Sequence, residues 1–376
     1  MKQGWEIKKL GEVATYVNGY AFKPEHWVEK GTPIIRIQNL NNPDVSYNYC
    51  DFDIPSKYIV ERGDILISWS ASLGVYEWEH EKGYLNQHIF KVVFDKGNIN
   101  KYYLKYAVSA KISDMLKNLH GATMKHIVKK DFDNTLIPVP TLAEQEKIVA
   151  ELDCLSGIIK KKKQQLKELD NLAQSIFYEM FGNPVENDKG WEKKRLDEIG
   201  KVITGNTPST KDESNYSSAD YCFVKPSDIA KDSISYISNT EFYVSEKAYI
   251  NSRQLPKGSV LTTCIGIIGK VGILQKDATC NQQINAIIPN KDIDAKFLAH
   301  VLFMIRDVLT DVANAPIVPI INKKEFSSVS IPFPPLDLQQ NFASKIESIE
   351  KQKELIARSI KETETLFNSR MDYYFN

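Results

Sequence analysis

The sequence has little of what disulfide-rich, membrane and strongly basic proteins depend on. Its five cysteines are scattered over 376 residues, which excludes a disulfide framework and offers no zinc-ligand spacing. No apolar run approaches the roughly 20 residues that a membrane helix needs, and the first residues lack the apolar core of a secretory signal. Basic and acidic residues number 48 each, which excludes a tight, purely charge-driven grip on nucleic acid. We expect a reduced, cytoplasmic chain.

The motifs of common enzymes are also missing. There is no phosphate-binding GxxxxGK[ST] loop, no GxSxG nucleophile elbow, no HExxH pair, and no amino-methyltransferase or nuclease motif. The glycine-rich residues 266–272 lack dinucleotide-binding spacing, and the six histidines show no metal-ligand spacing. We therefore predict no catalytic residue, no metal site and no cofactor bound by the chain itself. An enzyme with an unrecognised site is the weakest alternative.

The most informative feature is an internal repeat of domain size. Residues 4–13 reappear at 190–199, and five further blocks recur in the same order at offsets of 189 to 195. Small loop insertions explain the drift, and a period this long indicates a duplicated domain and not a solenoid. The further pairs of blocks are 33–40 with 222–229, 63–66 with 258–261, 85–89 with 280–284, 127–132 with 321–326, and 137–140 with 331–334.

The first part of each repeat, residues 1–140 and 186–335, has the pattern of an α+β domain. Short β-branched and aromatic runs such as 65–69 and 89–94 are bounded by turn residues and predict strands. Helical stretches at 101–119 and 295–312 interrupt them.

The second part of each repeat, residues 141–185 and 336–376, predicts one long helix. Apolar residues step by four and three, the period of a coiled-coil seam, which Lys162 and Lys353 interrupt. Thr141 with Glu144, and Asp337 with Gln340, are placed as N-terminal caps. The predicted seam comprises Ile148, Leu152, Leu155, Ile159, Leu166, Leu169 and Ile176 in the first helix, and Phe342, Ile346, Ile349, Ile356, Ile360 and Phe367 in the second.

The two helices most simply bury their stripes against each other. A globular domain lies between them in the sequence, which permits antiparallel pairing. A helix of about 40 residues is about 60 Å long, and we expect it to carry one domain at each end, related by a pseudo-twofold axis. The alternative is that each helix covers its own globular domain.

These features together resemble the specificity (S) subunit of type I restriction–modification systems. The similarity rests on W-x-x-K-[KR]-L-x-E-[IV] opening each half, the G-[DS]-[IV]-L turn, the N-Q pair and the I-P-[VF]-P that precedes each helix, and it spans essentially the whole chain. No single motif is strong, but their repeated order is specific.

The resemblance implies a non-catalytic subunit with two target recognition domains, 1–140 and 186–335. Each would read one half of a split, asymmetric double-stranded DNA sequence, and the helices 141–185 and 336–376 would set the gap. Its implied partners are two methyltransferase (modification) subunits, which hold S-adenosylmethionine, and two restriction–translocase subunits that can join them. A coiled-coil adaptor whose two heads bind proteins, without DNA specificity, is the alternative.

Candidate DNA contacts are the polar residues in loops beside the shared strands. Base edges pair with Arg, Lys, Asn and Gln, and phosphates with Lys, Ser, Thr and backbone N–H groups. The recurring pairs Asn86-Gln87 and Asn281-Gln282 are predicted to serve the scaffold or phosphates. The candidates are Asn18, Lys23, Arg36, Asn39, Trp69, Ser70, Ser72, Thr123, Lys125 and Lys129 in the first half, and Thr204, Asn206, Thr207, Ser209, Lys225, Ser227, Thr262, Thr263, Lys270 and Lys323 in the second.

Overall fold

The computed structural model describes residues 4–42, 45–70, 72–118, 128–313 and 318–376. It forms two compact units. Unit 1 comprises Met1–Lys162 and Ser359–Asn376, and unit 2 comprises Lys163–Arg358. Each unit thus combines one α+β domain with a part of both long helices, a grouping that cuts across the four segments predicted from the sequence. Among the described helices, none is long and apolar enough to span a membrane.

Unit 1 contains a two-stranded ladder and two four-stranded sheets, ordered β1-β10, β2-β9-β6-β7 and β4-β3-β8-β5. The strands are β1 Glu6–Lys9, β2 Thr15–Asn18, β3 Thr32–Ile35, β4 Asn48–Cys50, β5 Ile59–Val60, β6 Ile65–Ser68, β7 Gly74–Glu77, β8 Gly83–Leu85, β9 Ile89–Val93 and β10 Leu136–Val139. The helices that begin in this unit are α1 Leu10–Val13, α2 Ile37–Asn41, α3 Lys101–Asn118, α4 Lys129–Asp133 and α5 Leu142–Phe181.

Unit 2 repeats this plan, with sheets ordered β11-β20, β12-β19-β16-β17-β14 and β15-β13-β18. Its strands are β11 Lys193–Arg195, β12 Gly200–Thr204, β13 Tyr221–Val224, β14 Ser235–Ile237, β15 Phe242–Val244, β16 Val260–Thr263, β17 Val271–Leu274, β18 Ala278–Cys280, β19 Ile284–Pro289 and β20 Ser330–Pro332. Its helices are α6 Leu196–Ile199, α7 Glu246–Ile250, α8 Ala295–Met304, α9 Arg306–Val312, α10 Lys323–Ser328 and α11 Leu336–Phe375.

The ladder in each unit joins the opening and closing blocks of the repeat. In unit 1, β1 pairs antiparallel with β10, with Glu6 opposite Val139 and Lys9 opposite Leu136. In unit 2, β11 pairs with β20, with Arg195 opposite Ser330. The two blocks that recur most clearly in the sequence are therefore hydrogen-bonding partners, which explains why they recur together.

A buried glutamine fixes the start of each long helix. Gln145 is fully buried; its Nε2 donates to the carbonyl oxygen of Pro140 at 2.8 Å, and its Oε1 accepts from the N–H of Asn100 at 2.8 Å. Gln339 makes the equivalent bonds in unit 2, to the Pro334 carbonyl at 2.8 Å and from the Asp294 N–H at 2.9 Å.

The side-chain caps predicted for these helices are not the ones used. In α5, the N–H groups of Glu144 and Gln145 bond to the backbone carbonyl oxygen of Thr141 at 3.0 and 2.9 Å. In α11, the N–H of Gln339 bonds to the Pro335 carbonyl at 3.2 Å, and Asp337 caps no amide among the described residues. The backbone carbonyl oxygens of Thr141 and Pro335 therefore satisfy amides of the first turns, and the buried glutamines bond to groups outside the helices.

The ends of the long helices belong to the cores of the globular domains. Ile148 and Leu152 are buried in the core of unit 1 together with Phe375 from the end of α11. In unit 2, Phe177 and Phe181 lie beside the predicted seam, and both rings contact Phe342, at 5.5 and 5.4 Å between centroids. At its ends each helix therefore covers a domain, which was the alternative left open by the sequence.

The two helices pair antiparallel within each unit, both beside the domain core and beyond it. In unit 1, Glu151 bonds to Arg370 and Tyr374, and Lys162 bonds to Ser359. Residue numbers thus rise along α5 as those of the contacting residues on α11 fall, which shows that the helices are antiparallel. Every predicted seam residue is buried or half-buried. The α+β class with antiparallel helices, predicted from the sequence, is confirmed.

A charged layer interrupts the helix pair in unit 2. Lys353 Nζ lies 2.7 Å from Asp170 Oδ1 and 2.9 Å from Glu350 Oε1, and its side chain is 17% exposed. Burial by itself would lower the pKa of Lys353, but the hydrogen bonds to the two carboxylates outweigh it and raise that pKa. Burial also raises the pKa of Glu350 despite its lysine partner. The lysine therefore stays charged and compensates two partly buried acids.

The carboxyl ends of several strands converge on one set of loops in each unit, which we call the loop cluster. It comprises residues 18–20, 36–38, 69–70 and 86–88 in unit 1 and residues 204–206, 225–227, 264–265 and 281–283 in unit 2. Equivalent backbone hydrogen bonds join the loops in both units. These are Gly19 N to Ile89 O and Gly205 N to Ile284 O, Asn86 N to Ile35 O and Asn281 N to Val224 O, and Trp69 N to His88 O and Cys264 N to Gln283 O, at 2.8 to 3.2 Å.

Each loop cluster has a glycine where two backbone segments meet. A Cβ on Gly19 would lie 1.9 Å from the carbonyl oxygen of Asn86, and one on Gly205 would lie 2.2 Å from that of Asn281. No side chain fits in either place, so these glycines permit the close approach on which the loop cluster depends. The asparagines of both N-Q pairs therefore contribute their backbone to the scaffold.

We predict that Gly205→Ala destabilises unit 2 by at least about 1–3 kcal/mol, since the new methyl group must displace backbone. Thermal unfolding followed by circular dichroism measures the effect. Gly157→Ala is the matched control, because its Cβ meets nothing within 4 Å and alanine favours a helix interior. An unchanged midpoint for Gly205→Ala would contradict the packing described above.

We predict that Lys353→Met destabilises the protein by about 1–2 kcal/mol at neutral pH, because it leaves Asp170 and Glu350 without their cation. The partial exposure of Asp170 keeps this loss of stability below that expected for a fully buried ion pair. A carboxyl whose pKa is raised by folding destabilises the fold less as the pH falls, so the difference from the unsubstituted protein should narrow in acid. Lys351→Met removes an exposed lysine two residues away, which does not face the charged layer, and should change little. Equal losses in both variants would refute the role of the charged layer.

Candidate nucleic-acid interface

Arg36 stands at the centre of the unit 1 loop cluster, directly after β3. Its Nη1 donates to Asn48 Oδ1 at 2.9 Å, and its guanidinium carbon lies 5.4 Å from the ring centroid of Trp27. The side chain lines an open cleft of about 370 Å³ together with Gln38 and Gln87. Arginine has five donors in a planar fork, so Asn48 fixes one edge of the guanidinium and leaves further donors for a ligand.

An aromatic stack forms the neighbouring part of the same cluster. The Trp69 ring lies 5.6 Å from Phe90 and 5.0 Å from His88, and Trp69 Nε1 donates to Asn18 Oδ1 at 3.2 Å. Lys129 approaches from α4, where it pairs with Asp133 at 2.7 Å. The cluster thus offers an apolar face beside hydrogen-bonding groups.

The unit 2 cluster has Lys225 where unit 1 has Arg36, and a second lysine, Lys270, reaches the same loop. Lys225 Nζ lies 3.1 Å above the ring centroid of Phe242, a cation–π contact that fixes the ammonium group. Lys270 Nζ donates to the carbonyl oxygen of Pro226 at 2.8 Å, so both lysines meet at residues 225–227.

Polar groups on the other side of this cluster are hydrogen-bonded to one another. Thr204 Oγ1 donates to Asn285 Oδ1 at 2.6 Å, and Thr207 Oγ1 donates to Gln282 Oε1 at 2.6 Å. Asn206 Oδ1 accepts from the N–H of Arg253 at 2.9 Å. These bonds order the loop without covering it, since Thr204 and Asn206 remain half-exposed and Thr207 exposed.

Equivalent positions of the two clusters carry different side chains on the same backbone. Arg36 corresponds to Lys225, Asn18 to Thr204, Trp69 to Cys264 and His88 to Gln283, at the repeat offsets found in the sequence. A scaffold that keeps its hydrogen bonds while it changes its exposed side chains is suited to bind two different surfaces of one kind of ligand.

Several residues predicted to contact DNA are placed elsewhere by the structure. Asn39 is buried, with its amide bonded to the Val45 carbonyl and to the Arg36 N–H, so it caps α2. Thr262 and Thr263 are fully buried within β16, the central strand of its five-stranded sheet. These three predictions were wrong for direct contact, because polarity and a place next to a loop do not reveal burial. Thr123 and Lys125 lie outside the described residues.

The remaining candidates lie on loops at or near the clusters. Ser70 is half-exposed in the unit 1 cluster and Ser227 is exposed in the unit 2 cluster. Lys23 is exposed beside Glu25, at 3.5 Å. Ser72 and Ser209 are exposed on adjoining loops, and Lys323 is exposed at the start of α10.

Sequence reasoning did not select four residues that the structure brings to these surfaces, namely Trp27, Gln38, His88 and Arg253. His88 has a φ of +77°, which few residues other than glycine adopt, and its ring lies 5.0 Å from that of Trp69 at a tilt of 57°. Gln38 and His88 lie inside the repeated blocks but differ from their counterparts Ser227 and Gln283. A residue that differs between the two copies of a repeated block was the signal by which the sequence could have identified these two positions.

Burial holds two titratable groups of unit 2 in their neutral forms. Burial raises the pKa of the Cys264 thiol to about 11, so it is protonated at neutral pH and a poor nucleophile. Burial lowers the pKa of His300 to about 4, and the ring packs on Phe342. In the described part of the chain, no three His, Cys, Asp or Glu side chains are grouped as metal ligands would be.

Comparison with known proteins agrees with this architecture. The family model described as "type I restriction modification DNA specificity domain" matches residues 2–170 and again 188–365, one match per repeat. The EcoBI specificity subunit of Escherichia coli is 24% identical over 93% of this chain and 81% of its own length. The MjaVIII specificity subunit of Methanocaldococcus jannaschii is 25% identical over 96% of this chain and 91% of its own.

Solved structures share the fold. An S subunit of a type I restriction–modification system from M. genitalium covers 100% of this chain and 98% of its own, with a TM-score of 0.58 and 12% identity. A chain from a study of the assembly of the type I R-M system covers 99% of this chain and 97% of its own, with a TM-score of 0.59 and 19% identity.

The resemblance inferred from the repeated motifs is thereby confirmed, and the adaptor alternative receives no support. Two copies of one specificity domain, each ending in a part of the paired helices, account for nearly the whole chain. This protein belongs to the family of DNA specificity subunits of type I restriction–modification systems.

Proposed function

We propose that each loop cluster reads one half of a bipartite, asymmetric DNA sequence, and that the paired helices α5 and α11 fix the number of unspecified base pairs between the halves. The observation that carries this proposal is the pair of equivalent backbones with different exposed side chains. One scaffold can approach the same groove of DNA twice, while Arg36 and Lys225, or His88 and Gln283, meet different base edges.

The chain supplies recognition and performs no catalysis in this proposal. Two methyltransferase subunits bind it, hold S-adenosylmethionine and transfer the methyl group, and two restriction–translocase subunits join for cleavage. The balance of 48 basic and 48 acidic residues fits this division, because the partners then provide much of the contact with phosphates. The complex would act in the cytoplasm, where the DNA of a bacterial or archaeal cell lies.

The defining prediction concerns the target. Co-expression with the methyltransferase subunit of the same system should yield methylation at a single split motif when modified bases are mapped across a genome. Replacing residues 1–140 with the recognition domain of another specificity subunit should change one half of that motif, and replacing residues 186–335 should change the other. An undivided motif, or a change in both halves after one replacement, would refute the modular account.

We predict that Arg36 reads a guanine, because the fork of arginine matches the O6 and N7 atoms of that base. Arg36→Gln should relax the preference at one position of the half-site read by unit 1, by roughly 5- to 150-fold in relative methylation, which corresponds to about 1–3 kcal/mol. The unit 2 half-site should stay unchanged. Arg36→Lys keeps the charge and loses the fork, so it should also relax that position.

Lys82→Gln is the matched control for this experiment. It removes an exposed cation from the turn before β8, at the opposite end of that strand from residues 86–88. A control that relaxes the motif as much as Arg36→Gln does would show that the effect arises from charge alone. An unaltered motif in both Arg36 variants would exclude base recognition by this side chain.

A further inference from the structure

A second polar cleft in unit 2 runs beside the edge strand β12. It has a volume of about 590 Å³, and its polar lining is Lys201, Thr204, Ser252, Arg253, Gln254 and Lys323. Three of these residues are cations, and among the described residues that line the cleft none is acidic. In a chain with equal numbers of acids and bases, this is a local concentration of positive charge.

Arg253 is fixed to the loop cluster. Its Nη1 donates to the carbonyl oxygen of Thr204 at 2.5 Å and to that of Gly205 at 3.3 Å. Its backbone N–H bonds to Asn206 Oδ1 at 2.9 Å, and its carbonyl oxygen accepts from Thr279 Oγ1 at 3.2 Å. A ligand held in the cleft would therefore sit at a fixed distance from the residues that are proposed to read bases.

In the described part of unit 1, the positions that correspond to Lys201 and Lys323 carry no unpaired cation. At the repeat offsets, Thr15 stands in place of Lys201, and Lys129 in place of Lys323. Thr15 Oγ1 donates to Asp95 Oδ2 at 2.8 Å, and Lys129 forms its ion pair with Asp133. In unit 2, by contrast, no described carboxylate pairs with Lys201, Arg253 or Lys323. Among the described residues, the unpaired cations are thus found on the unit 2 side alone, and they are not part of the common scaffold.

We propose that this cleft binds a phosphate of the DNA backbone next to the half-site read by the unit 2 loop cluster. The proposal rests on the proposed function and adds a contact that positions the DNA. Lysine and arginine side chains, hydroxyl groups and amides are the groups that bind phosphate oxygens, and such contacts fix register without carrying sequence information. The cleft would align the backbone of the DNA along β12, so that its bases face residues 204–206.

The test uses the full chain assembled with its methyltransferase subunits, and measures how salt affects binding to two duplexes, one with the mapped target and one with a scrambled sequence. The double variant Lys201→Gln/Lys323→Gln should reduce the slope of log K against log[salt] by about 0.9 or more, since each phosphate contact contributes about that amount. Binding should weaken equally on both duplexes, and the methylated motif should stay the same. Lys201→Arg/Lys323→Arg should restore the slope.

Lys257→Gln provides the control, because this exposed lysine lies in the turn before β16 and does not line the cleft. A slope that the double variant leaves unchanged, or that the control lowers equally, would overturn the proposal. A changed methylation motif at an unchanged slope would also overturn it, because the cleft would then contact bases. If the unsubstituted complex shows no preference for the mapped duplex, the proposed function itself fails, and the cleft proposal fails with it.

Discussion

The pairing of each unit's first strand with its last is the constraint on which the rest of the structure depends. When β1 pairs with β10, residues more than 120 positions apart are brought together, and the chain leaves the ladder through Pro140 directly into α5. The buried side chain of Gln145 then ties the helix start to the Asn100 backbone, at the beginning of α3. The direction of each long helix is therefore set by hydrogen bonds of the globular domain. The same arrangement in unit 2, with Gln339 and Asp294, shows that this junction is part of the duplicated module.

The long helices consequently have two roles that differ along their length. Near the domains, large rings such as Phe181 and Phe342 join the core, and burial of apolar surface holds the helix in place. Polar residues also bond across the pair: Glu151 and Arg370 meet beside the unit 1 core, and Lys162 and Lys353 bond further along. Apolar stripes can slip by a turn without great loss, whereas charged partners must meet. These polar contacts therefore favour one register, which a spacer of defined length requires.

The side chains proposed to read DNA are separate from the interactions that hold the loop clusters together. Backbone N–H and carbonyl groups, with glycines at the points of closest approach, hold the loop clusters together, and these interactions are indifferent to most side chains. Side chains at the clusters can therefore change without loss of the fold. That independence accounts for two units with the same hydrogen bonds and different surfaces, and it also allows unit 2 to carry a cationic cleft.

The sequence by itself determined the duplication, the α+β class, the helices and their apolar stripes, because repeated blocks and a 3.5-residue period are properties of the order of residues. It could not determine which polar residues are exposed. Thr262 and Thr263 are polar residues at the end of a strand, as many exposed residues are. Both are nevertheless buried, because β16 lies between β17 and β19. Residues that are distant or unremarkable in the sequence likewise contact each other: Arg253 bonds to Thr204, and Arg36 lies over the ring of Trp27. Only the tertiary structure decides such contacts, because they depend on how strands pair and where loops meet.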